Sequence, residues 1–489
     1  MTDVTEITSL LINPTQVDLD LIRKAYEFAK KSHEGQSRKS GEPYFVHVFE
    51  TGKTLAKLNM DPGTIVAGLL HDTIEDTGVS EETIKNEFGE EVLFLVEGVT
   101  KLGKLKYQGT DRHVESLRKF FIAMAHDVRV VMIKLADRLH NVKTLEFVPK
   151  EKQKRIALET LEIHARLADR LGMGQLKTEL EDYSFPYAYP EAYEEVKKML
   201  EEKKYADGSY IQKTAEELEF ALLEEGVKDA KVDRRVKHLY SLWLKLKRYD
   251  MDIEKIYDII ALRVIVSSLE DCYRALGIIH RLWKPLPGRI KDYIAVPKPN
   301  GYRSLHTTIF TGDGGTVEIQ IRTEDMHKEA EYGVASHIMY KEIGKGTHHT
   351  KEEAIKKKTS WTQELIEWQK EVKETGEFFK HLQMDFFENR VFVFTPKGDV
   401  IDLPEESSPI DFAYAIHTDI GNHTAGAKVN GRLVSLDTKL KRGDIVEITT
   451  KESAHPNRKW LDYVKTTMAR KRIASYLEQT NPIKRLLGR

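Results

Sequence analysis

The stretch GLLHDTIEDTG, Gly68 to Gly78, places His71, Asp72, Glu75 and Asp76 within six positions, directly behind an apolar run. Three carboxylates this close repel one another, so positive charge is expected among them. On a helix, His71 and Glu75 are i, i+4, as are Asp72 and Asp76; the four make one polar patch beside an apolar stripe of Val66, Leu70 and Ile74. Imidazole and carboxylates together suit a divalent cation of the Mn, Fe or Zn type. Two helical neighbours cannot fill such a site, so further ligands must come from elsewhere. Candidates are His47 in GEPYFVHVFE and Asp137 in IKLADRLHNVKTL, where Asp137 and Asn141 are again i, i+4. An isolated His-Asp pair is more often a core histidine beside a solvated acidic face. The extra acids and the later ADRLHN weigh against that reading.

Around this stretch, from about Asp18 to Leu180, apolar spacing is helical. In DLDLIRKAYEFAKKSHEG, Leu21, Ala25, Phe28 and Ala29 fall on one stripe that closes at Gly35. Ser80 is expected to cap a helix with Glu81 and Glu82 in its first turn. The reading is an all-α domain. At 489 residues the chain holds several domains. Lys+Arg number 76 against 78 Asp+Glu, so any basic site must come from local clustering. A single cysteine, Cys272, excludes a disulfide framework and a Cys-rich zinc site, and fits a reducing cytosol. No apolar run approaches the ~20 residues that span a bilayer, and the N-terminus lacks a basic region of the signal-peptide kind. A cytoplasmic protein with no membrane partner is expected.

FPYAYPEAYEEVKKML marks a change, with two prolines, three tyrosines and then a highly charged helix to about Gly226. Beyond it DIIALRVIV and TVEIQIR read as strands; SLEDCYRALGIIHRLW and MHKEAEYGVASHIMYKE read as helices. Strands alternating with helices predict a mixed α/β domain. A polar connector and an amphipathic helix with Trp361, Leu365 and Trp368 follow. RVFVFTPKGDVIDLP and the Asn-Gly signal in GAKVNGRLV then predict a small β-rich module. From His455 to Arg489 nine Lys/Arg face two Asp/Glu, giving a basic tail that is expected to be helical and without a tertiary partner.

A second constellation lies in the α/β part. RRVKHLYSLWLKLKR, Arg234 to Arg248, reads as an amphipathic helix with Lys237, Ser241, Lys245 and Arg248 on one face, able to neutralise a triphosphate. Asp258 starts the next strand, which carries Arg263. GRIKDYIAVPKPNGYRSLHTT supplies Arg289, Lys291, Asp292, Lys298, Asn300, Tyr302 and His306 around a Pro-Asn-Gly-Tyr turn; Glu318 and Gln320 share one strand face. Paired acids ringed by cations suit Mg²⁺-dependent transfer from a nucleoside triphosphate, although either acid alone is more often a surface ion-pair partner.

The first constellation resembles the HD phosphohydrolase superfamily, with ligands in the order H…HD…D. On that likeness His47, His71, Asp72 and Asp137 would hold Mn²⁺, which lowers the pKa of a bound water. Glu75 and Asp76 would stay off the metal as proton-transfer groups. Arg38 and Lys39, just before His47, suit a phosphate ester.

Together, HDTIED, LADRLHN, YDIIALRV, GRIKDYIAVPKPNGYRSLHT, VEIQIRT and RVFVFTPKGDVIDLP…DFAYAIHTDIGNHTAGAKVNG resemble the long RelA/SpoT enzymes over nearly the full chain. The resemblance implies an all-α HD-type hydrolase domain over 1–184, a helical connector over 185–227 and an α/β nucleotidyltransferase-like synthetase domain over 228–345. A helical linker over 346–386, a small β-grasp TGS domain over 387–451 and the start of a helical regulatory region over 452–489 complete it. It further implies two activities: transfer of the β,γ-pyrophosphate of ATP to the 3′-OH of GDP or GTP, and removal of that pyrophosphate from (p)ppGpp.

By similarity, Arg38, Lys39, Asn141 and Thr144 contact the nucleotide in hydrolysis. In synthesis Arg235 and Arg263 sandwich the adenine, and Lys237, Lys245 and Lys291 neutralise phosphates. Tyr302 stacks on guanine, with Lys298, Asn300, His306 and Gln320 around the acceptor. Asp258 binds Mg²⁺, and Glu318 helps and activates the 3′-OH. His417 would touch the 3′ end of deacylated tRNA, with the ribosome a partner of the full-length family. The basic RIKD, Arg289 to Asp292, beside an intact HD set argues for both activities in one chain. Ser336 and Ile338 depart from the family's small and aromatic residues, and the family continues beyond the position of Arg489, so a chain truncated after its TGS domain is expected. Reciprocal control through Phe185 to Gly226 is expected, because opposed activities running together would waste ATP. The alternatives are an HD nucleotidase with an inactive synthetase domain, or a non-catalytic tRNA- or ribosome-binding regulator.

Overall fold

The computed structural model describes residues 2–103, 127–256, 258–298, 300–311, 315–333, 335 and 390–479. The expected linker helix with Trp361, Leu365 and Trp368, together with Ser336 and Ile338, lies outside them. Two compact units cover Met1–Trp368 and Gln369–Arg489.

The first unit begins with α1 (Thr5–Thr8), α2 (Gln16–Ser32), α3 (Phe45–Lys57), α4 (Pro62–Leu70), α5 (Thr73–Asp76), α6 (Glu81–Phe88), α7 (Glu90–Gly103) and α8 (Val128–Lys143). Their starts are written locally. Thr15 and Asp18 form a capping box on α2, and Asp61 caps α4 with Pro62 in its first turn. Ser80 accepts from the Thr83 amide at the head of α6, as expected. The quoted stretch is not one helix. α4 stops at Leu70, His71 and Asp72 form a turn, and α5 restarts at Thr73. The i, i+4 patch is therefore broken, which frees His71 and Asp72 to point into one site.

Close approach of α3 and α4 depends on two glycines. A Cβ on Gly68 would lie 2.3 Å from Leu55 Cδ1, and one on Gly52 would lie 2.9 Å from Leu69. These helices carry His47 and lead into His71, so the bare glycine surfaces bring the two imidazoles together.

Next come α9 (Lys150–Glu159), α10 (Ala165–Arg170), α11 (Gly174–Ala188) and α12 (Pro190–Glu224), then β1 (Lys231–Val236), α13 (Leu239–Leu246), β2 (Ile260–Val266), α14 (Leu269–Leu282), β3 (Lys291–Asp292), β4 (Leu305–Phe310), β5 (Thr316–Thr323) and α15 (Glu324–Tyr332). The sheet order is β1-β2-β5-β4-β3; β2 and β5 are parallel and the other pairs antiparallel.

Two expectations fail here. Arg234 and Arg235 lie on strand β1 rather than on a helix, and the helix proper begins only at Leu239. Alternation of β1 against β2 outweighs the amphipathic spacing. The helix expected through MHKEAEYGVASHIMYKE is interrupted after Tyr332, where Gly333 takes a positive φ of +58°; Ala335 is helical again, and the rest of that stretch lies outside the described residues.

One apolar core joins the helical half to the sheet. Leu145, Leu161, Phe185 and Leu218 share a cluster with Leu242, Trp243, Leu262 and Ile319. Phe185 is fully buried and packs 5.2 Å from Trp243 and 5.4 Å from Tyr240. Truncating such a side chain costs about 3–5 kcal/mol, so this contact matters to both halves.

The second unit holds β6 (Arg390–Phe394), β7 (Val400–Pro404), α16 (Pro409–Ile416), α17 (Thr418–Asn422), β8 (Thr424–Val429), β9 (Arg432–Val434), β10 (Val446–Thr450), α18 (Trp460–Tyr463) and α19 (Thr467–Gln479). Asn430 and Gly431, at φ +53° and +78°, make the expected β8–β9 hairpin. The basic segment after His455 does have a tertiary partner, contrary to expectation. Trp460, Val464, Ala469 and Ile473 pack against Ile410 and Tyr414 of α16. Fully buried Asp411 accepts from the Ser408, Lys465 and Thr466 amides and from the Thr466 hydroxyl.

Asp411→Ala should therefore destabilise this packing by about 2 kcal/mol, since each charge-assisted bond contributes on that scale. Hydrogen exchange at Lys465 and Thr466 reads it directly; wild-type protection at those two amides would rule the staple out.

Candidate functional site

His47, His71 and Asp137 are all buried and offer ligand atoms within 4.8 Å of one another. His47 Nε2 lies 3.2 Å from Asp137 Oδ1 and 3.4 Å from Asp72 Oδ2; His71 Nε2 lies 3.2 Å from Asp72 Oδ2. Each ring is oriented from behind. His71 Nδ1 donates to the Gly68 carbonyl at 2.8 Å, which leaves Nε2 for the cluster. Among the described residues, that buried Nε2 has no hydrogen-bond partner.

The tautomer of His47 follows from a residue that sequence reasoning missed. Arg38 can only donate, and its Nη1 lies 2.9 Å from His140 Nδ1, so His140 Nδ1 is an acceptor. His47 Nδ1 lies 2.9 Å from the same atom and must carry the hydrogen. His47 Nε2 is thereby bare and faces the carboxylates. Burial first, with the Arg38 guanidinium adding to it, pushes His140 down to about 3, which keeps it neutral in this role. Its only sequence signal was its place in the turn between Asp137 and Asn141.

Asp137 is tied on both oxygens, by Lys134 Nζ at 2.6 Å and Asn141 Nδ2 at 2.5 Å. Arg38 Nη2 reaches Asn141 Oδ1 at 2.6 Å, and Nη1 reaches Thr144 Oγ1 at 3.3 Å. Arg38, Asn141 and Thr144 thus meet beside the cluster, whereas Lys39 is exposed. Tyr44, also missed, lies 2.9 Å from Asp72 Oδ2 and 2.8 Å from Asp76 Oδ2. Burial and the Asp72 charge raise its pKa, so the hydroxyl stays a donor, with one hydrogen for two carboxylates. Asp76 and Glu75 are exposed.

The residues fit a divalent cation: two imidazoles with fixed lone pairs and two carboxylates in a buried pocket. Burial opposes a charge on His71, yet Asp72 overrides it and raises the ring to about 9. A proton thus stands where a metal's charge would.

The second constellation is built on the sheet. Asp258 Oδ2 accepts from Lys237 Nζ at 2.7 Å and from Lys245 Nζ. Despite burial, the two ammonium groups hold Asp258 well below the usual carboxylate range. Two cations on one anion leave net positive charge, which suits phosphate. A hydrogen-bonded chain then crosses the sheet. Arg235 Nη1 donates to Gln320 Oε1 at 3.0 Å, and Gln320 Nε2 donates to Glu318 Oε1 at 2.9 Å. His306 Nδ1 lies 3.2 Å from the same Glu318 oxygen, and the Tyr302 hydroxyl lies 2.9 Å from His306 Nε2. Burial keeps His306 neutral, so Tyr302 donates to it and it donates to Glu318. Glu318 lies at about 2: burial opposes its charge and His306 outweighs that.

Lys298 sits over the Tyr293 and Tyr302 rings, at 4.8 and 4.7 Å. Lys291 lies exposed on β3, opposite His306. Asn300 turns toward the helical half, its Nδ2 3.5 Å from the Asp169 carbonyl, while its Oδ1 accepts from the Tyr302 amide at 3.2 Å. His417 is exposed at the head of α17, and its Nδ1 accepts from the Asp419 amide at 3.2 Å. Among the described residues, no cluster of three metal-type ligands appears in the α/β half. No helix there is long and apolar enough to cross a membrane.

Comparison with known proteins matches residues 25–174 to the HD domain, 234–345 to the region found in RelA/SpoT proteins and 391–450 to the TGS domain. The chain belongs to the RelA/SpoT family. A GTP pyrophosphokinase of Myxococcus xanthus is 49% identical over 96% of this RelA/SpoT chain and 62% of its own length. A probable guanosine-3′,5′-bis(diphosphate) 3′-pyrophosphohydrolase of Synechocystis is 47% identical over 94% and 60%. A bifunctional (p)ppGpp synthase/hydrolase of Mycobacterium tuberculosis is 44% identical over 94% and 63%. This RelA/SpoT chain therefore spans about three fifths of the length of the curated relatives it matches.

Two outcomes follow for the HD cluster. Cation uptake must displace the His71 proton, so Mn²⁺ affinity should rise with pH and level off above about 9. Calorimetry in buffers of different ionisation enthalpy should then detect proton release at neutral pH, and its absence would remove the proton from this account. Tyr44→Phe should weaken Mn²⁺ binding about tenfold to a hundredfold without unfolding the chain; unchanged affinity would mean that Tyr44 does not orient Asp72.

Proposed function

We propose that this chain is a bifunctional alarmone enzyme that both makes and degrades (p)ppGpp. The observation that carries the reading is the presence, in one unit, of two separate constellations of different chemistry. One is a buried His/Asp cation pocket with the Arg38 guanidinium beside it. The other is an aspartate gripped by two lysines next to the Tyr302–His306–Glu318 chain. Relatives named for each activity, and one named for both, support it.

In hydrolysis, His47, His71, Asp72 and Asp137 would hold Mn²⁺, which when bound would make a water more acidic and so a better nucleophile. Arg38 and Lys39 bind the 3′-pyrophosphate, with Asn141 and Thr144 framing the nucleotide. Asp76, joined to Tyr44, and Glu75 take the proton from that water and return it to the departing O3′, which ends as the 3′-hydroxyl. The water oxygen bonds to the phosphorus next to O3′ as the O3′–P bond breaks. Pyrophosphate leaves and GDP or GTP remains.

In synthesis, Arg235 and Arg263 bracket the adenine of ATP. Lys237 and Lys245 turn from Asp258 to the phosphates, joined by Lys291; Asp258 and Glu318 would then hold Mg²⁺, which would add charge neutralisation. Tyr302 stacks on the guanine of GDP or GTP, with Lys298, Asn300, His306 and Gln320 around it. A carboxylate at about 2 is a poor proton sink, so Glu318 acts mainly by orienting the 3′-OH. The 3′ oxygen attacks the β-phosphorus, and AMP leaves. His417 is assigned to the 3′ end of deacylated tRNA, within a longer ribosome-associated protein; a His417→Ala change that left tRNA affinity intact would withdraw this contact.

The deciding assay is product analysis with each substrate set. ppGpp with Mn²⁺ should give GDP and intact pyrophosphate, abolished by EDTA and by Asp72→Asn. ATP with GDP and Mg²⁺ should give ppGpp and AMP, abolished by Asp258→Asn. Orthophosphate alone from ppGpp, or synthesis that survives Asp258→Asn, would overturn the corresponding half.

We also place reciprocal control on Phe185 to Gly226 and, extending it toward the N-terminus, on the whole of α11, which reaches the helices carrying both constellations: Glu179 pairs with Lys143 of α8 at 2.6 Å, and Asp182 with His238 at the head of α13 at 3.0 Å. Saturating one site with a nucleotide analogue should change the rate at the other; unchanged rates would end the idea.

A further inference from the structure

The synthetase half does not hold its two nucleotide subsites in place by itself. The last turn of α15 carries two carboxylates, Glu329 and Glu331, two residues apart. Glu329 Oε2 accepts from Arg303 Nη2 at 3.0 Å, and Arg303 follows Tyr302 on the acceptor side. Glu331 Oε1 lies 3.5 Å from Nη2 of Arg263, on the donor side, and accepts from the buried Arg322 at 3.2 Å. One short turn therefore holds a guanidinium from each subsite.

That turn is seated on the HD-type half by bare backbone. A Cβ on Gly174, at the start of α11, would lie 2.5 Å from the Ala330 carbonyl oxygen. One on Gly333 would lie 2.2 Å from the Leu171 carbonyl oxygen. Gly172, at φ +73°, would bring a Cβ within 3.0 Å of the Asn300 carbonyl oxygen, in the loop that leads into Tyr302. Backbone on the far side of each contact cannot yield as a flexible side chain would.

We propose that the last turn of α15 is a positioning element for pyrophosphate transfer, and that the glycine seam at Gly172, Gly174 and Gly333 makes the HD-type half a structural part of the synthetase site. Glu331 sets the donor subsite through Arg263. Glu329 sets the acceptor subsite through Arg303. Neither touches substrate, and the proposal rests on the synthetase reading above.

The test combines steady-state synthesis with equilibrium binding of a non-hydrolysable ATP analogue and of GDP, each alone. Glu331→Gln should raise KM and Kd on the ATP side about tenfold and leave GDP within about twofold; Glu329→Gln should do the reverse. Gly174→Ala improves local helix propensity, yet should lower synthesis about a hundredfold through misplacement, while Mn²⁺ binding at the HD cluster, the check on folding, stays at wild-type strength. Equal effects of both glutamate changes on both nucleotides, or full synthesis by Gly174→Ala, would overturn the proposal. A wild-type chain that bound both nucleotides without transferring would refute the synthetase assignment alone, and the binding split would still decide the positioning. Binding of neither would remove both.

Discussion

Two features set the histidines of the helical half: the hydrogen bond from His71 Nδ1 to the Gly68 carbonyl, and the bare surfaces at Gly52 and Gly68 where α3 meets α4. A Cβ at Gly68 would lie 2.3 Å from Leu55 Cδ1, so Leu55 would have to repack at that contact. Burying two imidazoles and two carboxylates is costly unless each nitrogen and oxygen has a defined partner. The supporting bonds supply those partners. Gly68 fixes one ring, His140 fixes the other, and Lys134 and Asn141 hold Asp137. What is left open is the set of lone pairs that face one another.

The α/β half meets the same difficulty by a different route. Its charges neutralise one another directly. Lys237 and Lys245 share Asp258, and Glu318 collects His306 and Gln320. Such pairs are readily exchanged for phosphate contacts of similar strength. The hydrogen-bonded chain from Arg235 to Tyr302 also ties the donor side of the sheet to the acceptor side, so neither can be displaced alone.

The two halves are not independent beads. Phe185, Tyr240 and Trp243 are packed in one core, and α11 carries acidic side chains to α8 on one face and to the head of α13 on another. Glu179 and Asp182, one turn apart, tie α11 to Lys143 on α8 and to His238 at the head of α13. Helices of this length move as rigid bodies, because interiors packed at crystal density transmit displacement rather than absorb it.

The sequence by itself named most of the side chains that the fold brings together. His71-Asp72 with His47 and Asp137, the acids at Asp258 and Glu318, and the Asn430-Gly431 turn are local patterns whose residue types have few other uses. The helix cap at Ser80 was equally legible, because a cap is settled within four residues. Only the tertiary structure decided the rest. Strand pairing with β2 put Arg234 and Arg235 on β1 against their helical spacing, and the turn at His71 broke an apparent i, i+4 patch. His140 and Tyr44 gained their roles from partners up to about a hundred positions away. Asp411 drew the basic tail onto α16, and the fold set Gly172, Gly174 and Gly333 against facing backbone. Such contacts have no periodicity, and spacing along the chain encodes only neighbours within a turn or along a strand.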